Sequence, residues 1–207
     1  MSRQLCWIRN DLRIHDNAAL IQALARGPAV ALYIACPGQW QRHHEAPVKL
    51  DFWRRNLELL QVELAKLRIP LVTARIEDYT AIPGFFESVL TQWQIQALHF
   101  NQEYPLNERQ RDEAVSRVCR QHNVDVFAWQ DQVLLSPEVI SNQAGLPFRV
   151  FTPFSRKARE LLQASDNFQP GPEKPVGNPH DLHLPQLPGQ CELDEIDWPQ
   201  AHDRWAR

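Results

Sequence analysis

The sequence predicts an α/β fold, a five-stranded doubly wound parallel sheet over residues 1–130, followed by a proline-rich, mostly irregular linker over residues 131–207. Three observations carry that prediction. Short apolar runs of strand length alternate five times with helix-forming stretches. The connections between them are short, so right-handed crossovers place helices on both faces of one sheet. The character then changes, because ten of the 16 prolines fall between Pro137 and Pro199 while regular periodicity fades.

The first strand covers residues 5–8, four apolar residues running into a charged loop and then into Asp16-Asn17, side chains suited to capping a helix. In an open parallel sheet the loops leaving the carboxyl ends of the strands form the ligand crevice, so Arg9, Asn10, Asp11 and Arg13 stand at its rim. A helix over 17–25 ends at Gly27-Pro28. Residues 29–34 are a continuous apolar run, as in a strand covered on both faces. Their exit, 36–45, is a second crevice loop carrying His43-His44.

Leu50, Trp53, Leu57, Leu60, Leu64 and Leu67 then step by three and four along one helical face, with Pro47 near the first turn. A third strand over 69–74, a helix over 85–93 and a fourth strand over 97–100 follow. The next loop leads to Asn107, read as an N-cap with Glu108 in the first turn and Gln110 at the capping-box position. That helix turns Val115, Val118 and Cys119 inward, and residues 124–129 supply the fifth strand, in which Trp129 is expected to be buried. Past residue 130 a short helix over 157–163 is expected, and 170–188 cannot form a continuous one. A long segment with no core of its own is a connector, and residues 198–207 resemble the opening of another element. The chain is therefore expected to be a fragment cut at the entrance to a second domain.

The four scattered cysteines, Cys6, Cys36, Cys119 and Cys191, contain no C-x-x-C pair and suggest neither a zinc site nor a redox motif. A net charge of -3 makes the chain alone a poor grip for a phosphate backbone. No apolar run approaches the ~20 residues that span a bilayer, and Met1-Ser2-Arg3-Gln4 leads straight into a strand, so no membrane association and a cytoplasmic location are expected. The glycine spacings of dinucleotide and Walker phosphate cradles, the G-x-S-x-G elbow and the H-E-x-x-H helix are all missing. What remains is polar residues on three crevice loops, each with two readings. Arg9, Asn10, Asp11 and Arg13 form either a ligand rim or an ion-pair network that stiffens the strand exit. His43 and His44 are either ligand contacts or inert loop histidines. Asn107 and Glu108 are either ligand contacts or a cap and a dipole complement.

Three ordered stretches resemble the photolyase/cryptochrome family. Trp7-Ile8-Arg9-Asn10-Asp11-Leu12-Arg13-Ile14-His15-Asp16-Asn17 is similar to its opening signature W-F-R-x-D-L-R-x-x-D-N. Phe100-Asn101-Gln102-Glu103-Tyr104-Pro105-Leu106-Asn107-Glu108-Arg109-Gln110-Arg111-Asp112 resembles its N-x-x-Y…N-E-R-x-R-D segment, and Val150-Phe151-Thr152-Pro153-Phe154 resembles its V-F-T-P-F. Tyr33-Ile34, Pro37 and Gln39-Trp40 fit bacterial class I cyclobutane-pyrimidine-dimer members. The resemblance covers essentially the whole chain.

It implies a Rossmann-like N-terminal domain, a linker, and a C-terminal helical domain that holds FAD and the DNA lesion. The flavin, electron-relay and lesion motifs belong to that helical domain and are absent here, so no catalytic residue is assigned; Trp7, Trp40 and Trp129 are not electron carriers. The implied full-length activity is deoxyribodipyrimidine photolyase, with this part alone inactive and damaged DNA reached only through the missing domain. In folate-type members a 5,10-methenyltetrahydrofolate antenna lies in the cleft between the domains, at positions matching His43, Asn107 and Glu108; the charge of Arg42 makes it a candidate partner for the antenna's glutamate tail. Members with a flavin or deazaflavin antenna hold it deeper, near the first-strand loop, which would recruit Arg9, Asn10 and Asp11 instead. The alternatives in other classes are a blue-light receptor and a free-standing α/β module that binds a nucleotide or a protein partner.

Overall fold

The computed structural model describes residues 2–164 and 175–199. Its centre is a five-stranded, all-parallel sheet of β1 (Arg3–Ile8), β2 (Ala29–Ala35), β3 (Leu71–Arg75), β4 (Ile95–Asn101) and β5 (Asp125–Trp129), in the order β3-β2-β1-β4-β5. The order reverses at β1, which pairs with β2 on one side and β4 on the other, Cys6 lying opposite both Ala31 and His99. Strand alternation gives the two faces different characters. Leu5, Trp7, Leu32, Leu98 and Phe100 meet Phe86 and Val89 of α4 (Ile82–Gln92) and Val115 and Cys119 of α5 (Leu106–Gln121). On the other face the small side chains of Cys6, Ala29 and Ala31 receive Leu20 and Ala23 of α1 (Ala18–Arg26) and Leu60 and Leu64 of α3 (Pro47–Lys66).

Asn17 is the N-cap of α1, its side chain accepting from the Leu20 N–H. Several expectations need correction. The exit of β2 is not all loop: Pro37 at a first helical position starts the six-residue α2 (Pro37–Arg42). Asn107 is not a cap; α5 starts at Leu106 behind Pro105, whose extended backbone already has N-cap geometry, so Asn107 and Glu108 lie within the first turn. Trp53 is half-buried on the rim of the α3 stripe, and β5 is a half-covered edge strand with Trp129 only partly buried.

Buried His99 is fixed by two partners. Its Nε2 lies 3.1 Å from Gln4 Oε1, and its Nδ1 accepts from Trp129 Nε1 at 3.3 Å, an arrangement that requires the neutral ring with its proton on Nε2. Burial foremost, and then the charge of Arg26, lowers its pKa to about 4. The unfolded chain, with an ordinary histidine near ~6.5, therefore binds the extra proton first. His99 should destabilise the fold progressively as pH falls from ~6.5 toward 4, with no effect above that window. Urea melts at pH 7 and pH 5 check this: His99→Gln should flatten the difference, and an unchanged difference would refute it.

The segment after β5 divides in two. Residues 131–164 carry α6 (Phe151–Ala164), six residues longer at its start than expected, with Phe151 and Val150 exposed. Residues 175–199 do not hang free as a coreless connector. Leu187, Leu193 and Ile196 are buried in the core clusters of the sheet. The Asn178 amide, 1% exposed, accepts from Ala29 N at 2.9 Å and donates to Ala29 O at 2.8 Å and Arg68 O at 3.0 Å. Gly177 permits this, since a Cβ there would lie 2.5 Å from Leu67 O. Farther on, Arg75 N donates to Gly189 O and Cys191 N to Thr73 O, which covers the otherwise open edge of β3. The residues expected to open another element fall largely in 200–207, outside the described residues, as do 165–174. Among the described residues no helix is long and apolar enough to cross a membrane.

Candidate functional site

At the carboxyl end of the sheet, where the strand order reverses, the exits of β1, β2, β3 and β4 surround a cavity of about 260 Å³. Trp7 and Arg9 line it from β1 and its exit, Trp40 from α2 and His43 from its C-cap, Lys49 and Trp53 from the first turns of α3, Tyr79 from the β3–α4 loop, and Glu103, Glu108 and Arg111 from the β4–α5 loop and α5. The packing of α2 against the Tyr79 loop is close. Gly38 N donates to Glu77 O at 2.9 Å, and a Cβ on Gly38 would stand 2.7 Å from that oxygen.

The cavity floor is ionic and largely buried. Arg111 donates to Glu103 at 2.6 Å and to Asp112 at 2.7 Å, Arg9 reaches Asp112 at 3.3 Å, and all four side chains are at most 11% exposed. Two cations and two carboxylates cancel, which is how such charges survive burial. Burial raises the Asp112 pKa against the pull of Arg9 and Arg111. Trp7 lies against both guanidinium groups, 4.8 Å from Arg9 and 4.7 Å from Arg111, and Tyr79 lies 4.7 Å from Arg111. Behind the floor Asp11 accepts from Arg9 N at 2.8 Å, Asn101 Nδ2 at 2.7 Å and Asn17 Nδ2 at 3.2 Å, while Arg13 bridges to Asp131 at 2.7 Å. Asn10 Nδ2 donates to Glu103 Oε1.

The expected site residues thus separate. His43 and Glu108 both line the cavity, whereas Asn107 is exposed and lies outside its lining, touching the site only through His43. Asn107 Nδ2 lies 3.3 Å from His43 Nε2, which makes that nitrogen the acceptor, and Glu108 Oε1 accepts from the Tyr79 hydroxyl at 3.3 Å. His44, with φ of 51°, turns to a separate hollow beside Pro37. Arg9 and Asn10 line the floor and rim, but both are engaged by the network, and Asp11 lies behind the lining altogether. Arg42 pairs with Asp78 at 3.3 Å and does not line the cavity; Lys49, paired with Glu45 at 2.7 Å and 4.7 Å from the Trp53 ring, does.

Sequence reasoning missed Tyr79, Lys49, Arg111 and Asp112. For the last two a signal existed. The inward positions Val115 and Cys119, stepped back by three, four and seven residues, land on Arg111, Asp112 and Glu108. Tyr79 sits in a polar loop with no periodicity to mark it.

A family model described as DNA photolyase matches residues 4–176. A deoxyribodipyrimidine photo-lyase of Vibrio cholerae is 37% identical over 161 residues, 77% of this chain and 34% of its own length. That of Escherichia coli is 36% identical over 156 residues, 74% of this chain and 33% of its own. The chain spans about a third of the length of these curated relatives. A bacterial class III photolyase from Agrobacterium tumefaciens shares the fold with a TM-score of 0.75 at 24% identity, over 99% of this chain and 40% of that one.

Proposed function

Because the chain belongs to the DNA photolyase family, we propose that it is the antenna-bearing part of a deoxyribodipyrimidine photolyase and that the cavity takes the pterin ring of 5,10-methenyltetrahydrofolate. One observation carries this reading: His43 and Glu108, from two separate strand exits, line the same cavity, and Asn107 beside it reaches His43 from outside the lining. When bound, such an antenna absorbs near-ultraviolet light and passes the excitation to reduced FAD, which in the longer protein donates the electron that splits a pyrimidine dimer.

The residues present fit the ring. A pterin offers an amino group and a ring N–H side by side, and a carboxylate is the acceptor pair that matches them. Among the described residues Glu108 has only its Oε1 engaged, by Tyr79. Trp40 and Trp53 supply flat apolar walls. The volume of about 260 Å³ is below the usual range for whole drug-sized ligands, so it houses the ring and leaves the glutamate tail outside, on the side of Lys49 rather than Arg42. Titration of the chain with 5,10-methenyltetrahydrofolate, followed by near-ultraviolet absorbance, tests the reading. Glu108→Ala should weaken binding about tenfold, the value of one charge-assisted hydrogen bond; unchanged affinity would remove Glu108 from the site. Without a helical domain, the chain should show no light-dependent dimer repair.

A second reading has its own support. Trp7 Nε1 and Arg9 Nε, both on residues lining the cavity, are buried donors without a hydrogen bond among the described residues. They would suit the carbonyl edge of a flavin-type antenna seated deeper, near Arg9 and Asn10. Tighter binding of FMN than of the folate, unaffected by Glu108→Ala, would favour it.

A further inference from the structure

We propose that Tyr79 is a positioning residue for the antenna site, holding the Glu108 carboxylate in the orientation that presents its other oxygen to the ring. The proposal rests on the folate reading above. Glu108 projects from the first turn of α5, where nothing in its own helix fixes it: the cap position is Pro105 and α5 has no side-chain cap bond. Its one hydrogen bond among the described residues comes from another strand exit, the Tyr79 hydroxyl donating to Oε1 at 3.3 Å.

Tyr79 can impose a direction because it is itself held. Its ring lies 4.7 Å from the Arg111 guanidinium, and Arg111 is anchored at 2.6 Å to Glu103 and 2.7 Å to Asp112 in the buried floor. The loop carrying it is pinned by Gly38 N to Glu77 O and by the Asp78 cap on Thr80 N at 2.8 Å. Burial pushes the Tyr79 phenol up, so its hydroxyl keeps the proton that it donates. A glutamate with three rotatable bonds loses rotamer freedom when it binds; one already tethered loses less. The same tether sets preference. A carboxylate with one oxygen occupied and one turned inward favours a ligand edge rich in N–H donors and opposes the two carbonyls that flank the flavin ring N–H.

The test is a double-mutant cycle on the whole chain, with 5,10-methenyltetrahydrofolate as probe and dissociation constants read by near-ultraviolet absorbance. Tyr79→Phe keeps the ring over Arg111 and removes only the hydroxyl. It should weaken binding three- to tenfold, with the thermal midpoint nearly unchanged. In a Glu108→Ala background the same substitution should have no effect, because the carboxylate it acts through is gone. A merely structural tyrosine would cost the same factor in both backgrounds, and that result overturns the proposal. So does an unaltered affinity of Tyr79→Phe when Glu108→Ala alone is weakened, an outcome that leaves the folate reading intact. If Glu108→Ala binds as the unsubstituted chain does, or if the unsubstituted chain does not bind the probe, the folate reading falls and the proposal falls with it.

Discussion

Arg111→Met is expected to destabilise the protein by about 3–5 kcal/mol, a shift of roughly 10 °C in the thermal midpoint for a chain of this size. The methionine fills similar volume, so the loss is electrostatic. Arg111 is 5% exposed and makes the shortest ion pairs of the floor network. Without it, Glu103 and Asp112 share only Arg9, which stands 3.9 Å and 3.3 Å from them. One of the two carboxylates is then buried without compensation, and the cation over Trp7 and Tyr79 is lost as well. The comparison that isolates the cause is Arg55→Met. Arg55 also makes a close pair, at 2.8 Å to Asp51, but in water, half-exposed on α3. Exposed pairs of this kind contribute about 0.5 kcal/mol or less. Denaturant melts of both variants should therefore differ by several kcal/mol, and the Arg111 effect should persist in high salt. A loss below about 1 kcal/mol for Arg111→Met would show that the floor charges are compensated by solvent rather than by one another.

Asn178→Ala should cost about 2–4 kcal/mol and loosen the returning segment. The amide satisfies both the N–H and the C=O of Ala29, the first residue of a central strand, and the carbonyl of Arg68 at the turn after α3. Truncation strands those groups where water reaches them poorly, and each buried polar group left unpaired costs about 1–3 kcal/mol. The backbone bond from Asn178 N to Leu67 O survives, as do the bonds to the β3 edge, so the segment should fray from its start rather than detach. Limited proteolysis reads this directly: cleavage near residue 178 should accelerate well before global unfolding. Equal rates of cleavage in the two proteins would show that the amide is not what fastens the segment.

The sheet was legible because each strand is a continuous apolar run and each helix carries its own stripe, so local pattern and final packing agree. The Asn17 cap was legible for the same reason, its partner lying three residues away. Asn107 has a residue type that favours caps, yet its helix begins earlier because Pro105 already has the required backbone, and the freed amide meets His43 instead. The buried charges of α5 occupy the core positions of their helix but look like surface to any reading that equates charge with solvent. The segment 175–199 left no pattern at all. It is held by an amide, an edge-strand pairing and single apolar side chains, each meeting residues far away in sequence, 149 positions for Asn178 and Ala29. The convergence of His43 with Glu108 followed from topology, since loops leaving one end of a parallel sheet must share a side; the Tyr79 tether between them did not.

The position of β1 has a kinetic consequence. The strand made first lies in the middle of the finished sheet, and its second neighbour, β4, begins at Ile95. Contacts of such long sequence separation raise contact order and slow folding. Until β4 and α5 have been made, Leu5 and Trp7 have no completed layer to enter. During synthesis this protein should therefore depend on chaperones that shield an unpaired apolar strand, and nascent chains halted before β4 should aggregate where longer ones do not.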